Sequence, residues 1–302
     1  MSGPLDTATG WLLFTSIALS AGAVIARAVI LPRVNKDAEP SSEWLLGGAA
    51  RVGFAAALLL PVALALYFLR QLLEFRDPFV GWSEDASLLL TGTAWGRTWM
   101  WGVVASVLAP CAFLIARSGR RIGWWIAAPA VLALGALPAF TGHAAGEQSL
   151  RFVSLSADTL HVWAASGWIG GLAVVLYLEW CWKREKPGVG VSLLPRLVPA
   201  FSPVAMACVG TLFLTGSYAA WLHVDSIGAL ISTTYGRTLT LKLLVVSGVL
   251  GLGAWNFRIL TPKLGEQSGN DALRTAASLE LLLAQIVLFV TSVLVRTSPM
   301  DL

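Results

Sequence analysis

The sequence predicts an all-α fold: a polytopic membrane helix bundle with eight transmembrane helices. Three observations predict it. The 302 residues are 56% hydrophobic and only 13% charged, where a soluble domain carries about 25% charged residues, and mean hydropathy is +0.72. Eight continuous apolar runs each reach the roughly 20 residues that span a bilayer. None alternates polar and apolar over about ten residues, as a membrane β-strand does.

In order, the expected spans are Trp11–Leu31, Leu45–Leu69, Trp95–Ile115, Ile122–Phe140, Asp158–Leu178, Pro199–Leu222, Leu239–Ile259 and Ala276–Val295. The N-terminal segment lacks a basic region and a small-residue cleavage site, so the first run reads as a retained span and not a signal peptide. Pro129 interrupts the fourth run and Pro138 ends it, which membrane helices tolerate. The connection Arg70–Ala94, rich in aromatic residues and carboxylates, suits either a short surface helix or a capped loop. Gly167 and Gly171 in span five invite close packing of a neighbour, as do Gly248, Gly251 and Gly253 in span seven. No internal repeat and no long linker stands out, so residues 1–302 read as a single integral membrane domain.

Lys and Arg set the orientation. Fourteen of the 21 fall on the side that receives the connections after spans one, three, five and seven, and seven on the other. The positive-inside rule places the richer side in the cytoplasm, with both termini outside. The net charge of +4 reflects these loops. No basic run with interleaved aromatics suggests nucleic acid. The 14 tryptophans mostly flank spans, as interfacial anchors do. Cys111, Cys181 and Cys208 form neither a disulfide framework nor a C-x-x-C pair.

The chain has three histidines, and this topology places His143, His161 and His223 all at the outer surface. His161 follows Asp158 by three residues, so the two share a helix face. Imidazole suits copper, zinc, iron and nickel, and Asp158, like Asp225, is suited to orient an imidazole ligand. Interfacial histidines also serve simply as hydrogen-bond partners of loop backbone. Met100 lies in the outer part of span three. Met206, Cys208 and Cys111 lie deeper, where thioether and thiolate suit Cu(I), although Met and Cys are equally ordinary apolar residues. Glu280 is expected to pair with a basic group or face a polar path, and Gln285 to face the bundle. Lys242 and Arg237 are placed to snorkel, to neutralise a carboxylate or to repel cations from a wrong path. No nucleotide-binding loop, nucleophile elbow or H-E-x-x-H site is present, so no enzymatic activity is expected.

Thr141–Gly146, Asp158–Leu172, Phe201–Trp221, Thr233–Val246 and Leu273–Pro299 stand out, with the YGR-x-L-x-x-K pattern at Tyr235–Lys242 and the closing TSP at Thr297–Pro299 the most specific. These segments resemble the CopD family of bacterial inner-membrane copper-resistance proteins. The resemblance is strongest over residues 141–299, and the first 90 residues share mainly hydropathy. It implies an eight-helix bundle in the bacterial inner membrane. It also implies copper handling, usually uptake from the periplasm, beside a small periplasmic copper-binding protein of the CopC type. His143 and His161 match the family's G-H-A and D-x-x-H positions; His223 rests on topology alone. The leading expectation is therefore copper transport or relay through a site drawn from His143, His161, His223, Met100 and Asp158. The alternatives are a membrane redox protein holding haem between histidines and a non-transporting subunit that docks a periplasmic partner.

Overall fold

The computed structural model describes residues 4–34, 39–142, 150–186, 191–224, 226 and 228–297, with the side chains of Pro4 and His223 outside the description. Eleven α-helices follow one another among these residues, and eight helical segments are long and apolar enough to cross a membrane. Helix α1 (Pro4–Ile25) runs on through a π-helical turn, Ala26–Ile30, and a 3-10 turn, Leu31–Arg33. Helices α2 (Ser42–Ala57) and α3 (Leu60–Phe75) form one bent span. Pro61 enters the first turn of α3, where its missing N–H costs nothing but its ring constrains the preceding residue, and the bend sits at Leu58–Leu59. The connection between α3 and the next long helix holds the short α4 (Trp82–Ser87) and a π-helical turn, Leu88–Gly92. It is pinned by Arg76, which bonds Asp85 at 3.3 Å and lies 4.2 Å over the Trp82 ring.

Helices α5 (Ala94–Arg117) and α6 (Arg121–Thr141) form a tight antiparallel pair, and α6 runs unbroken across Pro129. Helix α7 (Arg151–Glu185) is longer than its apolar stretch, extending seven residues beyond it at each end. Its last turns carry Glu179, fully buried, which accepts from Ser192 Oγ at 2.9 Å and Leu193 N at 2.7 Å. A carboxylate thus meets the free N–H groups and positive dipole end of the next helix, α8 (Leu194–His223). Helices α9 (Ala229–Ser232), α10 (Thr234–Trp255) and α11 (Gln267–Leu294) follow, with π and 3-10 turns over Asn256–Leu260 and Thr261–Lys263 closing α10.

The centre of the bundle is the α1–α7 contact, and α1 also packs on α2, α3, α6 and α11. A Cβ on Gly22 would lie 2.1 Å from the carbonyl carbon of Gly170, and one on Gly170 would lie 1.9 Å from the Ala18 oxygen. Such backbone-to-backbone approach is what small residues permit between membrane helices. The closest seam therefore runs through Gly170. Gly167 and Gly171 meet side chains instead, Ile25 with Cys208 and Phe201 with Ile30. Gly248 and Gly251 face open space, correcting the packing expected of them, because α10 turns that face away from the bundle; Gly253 meets Glu280.

The structure also reveals an internal repeat that is faint in sequence. Thr93-Ala94-Trp95-Gly96-Arg97-Thr98 and Thr233-Thr234-Tyr235-Gly236-Arg237-Thr238 open α5 and α10 in the same way. In each, the first Thr accepts from the glycine N–H at 2.9 Å, the glycine has no room for a Cβ, and the arginine bonds carbonyls of the preceding turn. Asp6-Thr7 with Trp11 in α1 likewise matches Asp158-Thr159 with Trp163 in α7. The pairings α5–α6 and α10–α11, α1–α2 and α7–α8, and α1–α11 and α7–α6 repeat. One pairing does not: α2 and α3 pack on α5, whereas α8 and α10 scarcely touch, and both leave most of their apolar surface outside the bundle.

Candidate metal-handling site

Polar groups line the α7–α8 seam near the end of the bundle where α7 begins. Ser154 Oγ and the Tyr218 hydroxyl lie 3.0 Å apart. Two turns further along, His161 Nδ1 lies 2.9 Å from Thr215 Oγ1. Thr215 Oγ1 in turn donates to the Thr211 carbonyl at 2.7 Å. A hydroxyl has one proton to give, so the Thr215 oxygen accepts from His161 and Nδ1 carries the ring proton. The Nε2 lone pair is then left for a ligand, and no described residue hydrogen-bonds it. Gly216 lies beside the ring, where a Cβ would sit 3.6 Å from Cε1.

Asp158 precedes His161 by three residues on α7, half-buried as His161 is. Lys242 of α10 lies within Coulombic range of both Asp158 and His161. At the matching place on α1, Asp6 lies 3.7 Å from Arg70 of α3, and Thr9 stands where α7 has His161. Only the second half carries an imidazole there.

The other expected site residues are placed as follows. His143 and Asp225 lie outside the described residues, and of His223 the backbone alone is described, closing α8 at the same end of the bundle. Met100 is 39% exposed on α5, whose main partners are α2, α3 and α6, so it is not brought to His161. Cys208 Sγ packs toward Gly167, nearer the far end of α7 than His161 is, while Met206, 55% exposed, points away from the bundle. Among the described residues no three His, Cys, Asp or Glu side chains converge as a metal cage. Thr215 escaped the sequence reading; its only signal there is the Thr211–Thr215 spacing of one helical turn opposite a helix bearing His.

Glu280, 6% exposed, is bonded not to a basic group but to neutral donors: Trp168 Nε1 at 3.2 Å and Asn256 Nδ2 at 2.8 Å. Gln285 faces the bundle, accepting from Thr15 Oγ1 at 3.0 Å.

The family described as "Copper resistance protein D-like, N-terminal domain" matches residues 1–153, and "Copper resistance protein D" matches residues 195–294. Most of α7 lies between the two. The copper resistance protein D of Pseudomonas syringae pv. tomato is 26% identical, covering 99% of this chain and 98% of its own length. The copper transport protein CutJ of Bacillus subtilis is 33% identical over 57% of this chain, which spans only 31% of that protein's length. No solved structure matches. With the N-terminal family covering half of its length and the Pseudomonas protein aligning nearly end to end, this chain belongs to the copper resistance protein D family, and its eight apolar helices make it a multi-pass membrane protein.

Proposed function

We propose that the protein moves or relays copper across the bacterial inner membrane, from periplasm to cytoplasm, with His161 as the first intramembrane ligand. The observation that carries this reading is the bond from His161 Nδ1 to Thr215, which fixes the ring and leaves Nε2 to the metal. A hydrogen bond to the far ring nitrogen is how metal-binding imidazoles are oriented. Asp158 lends negative charge beside the ring. His143 and His223 complete the ligand set from the connections at the same end of the bundle. Met100 belongs to another helix face and stands outside that set. The lysine and arginine bias supports a periplasmic location for this end and for both termini. Copper is cargo here, delivered by a separate periplasmic copper-binding protein of the CopC type.

The test is copper accumulation in cells expressing the protein, compared with His161→Ala and His143→Ala/His161→Ala at equal membrane abundance. Accumulation falling to that of cells lacking the protein is the expected result. Undiminished accumulation in the double variant overturns the reading.

A further inference from the structure

Glu280 of α11 sits against Trp168 of α7, two turns beyond His161, and against Asn256 in the turn that follows α10. Its carboxylate is 6% exposed and takes both hydrogen bonds from neutral side chains, Trp168 and Asn256. Its ionisable surroundings are sparse. On α11 the preceding ionisable residue is Arg274, six residues away and held by Asp271 at 3.1 Å. On α7, Glu179 and Lys183 lie 3.7 Å from each other, against the start of α8. In the π-helical turn after α10, Arg258 is exposed. Lys242 is eleven residues from Gly253 toward the far end of α10, α1 has no ionisable residue between Trp11 and Ile25, and α8 offers Cys208.

Asn256 is the second observation. It is 7% exposed, and its Oδ1 is buried with no hydrogen-bond partner, a costly arrangement in a membrane interior. An amide that donates Nδ2 to a carboxylate can rotate to present Oδ1 to a carboxylic acid. The orphaned acceptor is what the protonated form of Glu280 requires. Three side-chain oxygens, two from Glu280 and one from Asn256, are too few for calcium, which takes six to eight oxygen ligands. Ionisable groups inside membranes mark ion paths and proton relays.

We propose that Glu280 is a proton-exchange site within the membrane, with Asn256 as a partner for both its charged and neutral forms. Resting on the copper reading, the proton it exchanges supplies the drive for copper entry. The site takes a proton from one side of the membrane when the carboxylate is empty and releases it on the other, with no bond to copper.

The test uses the full-length protein in vesicles of phosphatidylethanolamine and phosphatidylglycerol. Dicyclohexylcarbodiimide, an apolar reagent that attacks protonated carboxyls from the lipid phase, is applied across a pH series and its adducts are mapped by mass spectrometry. Labelling of Glu280 that rises several-fold as pH is lowered supports the proposal, and it is read in the unaltered chain, so it does not depend on how a variant folds. Absent or pH-independent labelling overturns it. In the same vesicles an inward proton gradient is expected to raise copper accumulation, and Glu280→Gln to remove that rise while leaving copper binding at the His161 end intact. A rise that survives in Glu280→Gln overturns the coupling. If the unaltered protein accumulates no copper yet Glu280 labels as described, the copper reading fails and the proton site stands.

Discussion

His161 donates through Nδ1 to Thr215 Oγ1 at 2.9 Å, and Thr215 donates onward to the Thr211 carbonyl at 2.7 Å. This two-bond chain fixes both the tautomer and the orientation of the imidazole. Replacing Thr215 by Val keeps the shape and removes the acceptor. Loss of such an outer hydrogen bond typically costs 10–100-fold in metal affinity. Copper titration of the purified variant is expected to show a loss in about that range, with Thr215→Ser restoring binding. Equal affinity in Thr215→Val would show that the ring is oriented by something else.

The α1–α7 seam sets the stability of the bundle. A methyl group on Gly22 would fall 2.1 Å from backbone atoms of Gly170, which cannot rotate away as a side chain can. Overpacking of this kind costs about 1–3 kcal/mol or more. Gly22→Ala is expected to lower the unfolding temperature in detergent, whereas Gly248→Ala, at a position facing open space, is expected to leave it unchanged.

Glu179 joins α7 to the start of α8 through Ser192 and Leu193. Glu179→Ala leaves a buried N–H and hydroxyl without their acceptor, at about 1–3 kcal/mol for each group so orphaned. Faster amide exchange across the first turns of α8 in that variant is the expected readout.

One loop contact carries a pH signature. Lys186 bonds Glu39 at 2.6 Å, and that hydrogen bond, followed by the ammonium charge, holds the Glu39 carboxyl below its ordinary range. The Arg196 guanidinium bonds the Glu39 carbonyl as well. A carboxyl depressed in the folded state contributes stability above its ordinary range and loses it as pH falls through the depressed value. Amide exchange near residues 39–44 is therefore expected to rise on acidification, and Lys186→Met to abolish that dependence. The pair is exposed, so the effect is local.

Much of this architecture is legible in the sequence, because a membrane span declares itself by length and apolarity alone. All eight runs became helices, and even Pro129 left α6 intact. The extra turns of α7 were not legible: Arg151–Ala157 and Glu179–Glu185 are too polar to count toward a span, and packing on α8 keeps them helical. The bend at Leu58–Leu59 lay hidden inside a continuous apolar run. The repeat was hidden because only its caps, glycines and a few anchors survive, while lipid-facing positions accept any apolar residue. At the site, Asp158 and His161 were readable from their spacing. Thr215 joins them only through the packing of α8 on α7, which spacing along one helix cannot report. The family reading drawn mainly from residues 141–299 extends to the first half as well, where the N-terminal family matches residues 1–153.

The central claim is that His161 Nε2 binds copper. Elemental analysis of the purified protein after copper exposure and desalting, with His161→Ala prepared in parallel, tests it most directly. About one copper per chain is expected of a single imidazole-centred site, lost in His161→Ala with folding retained by thermal unfolding. Copper retained in full by His161→Ala would contradict it.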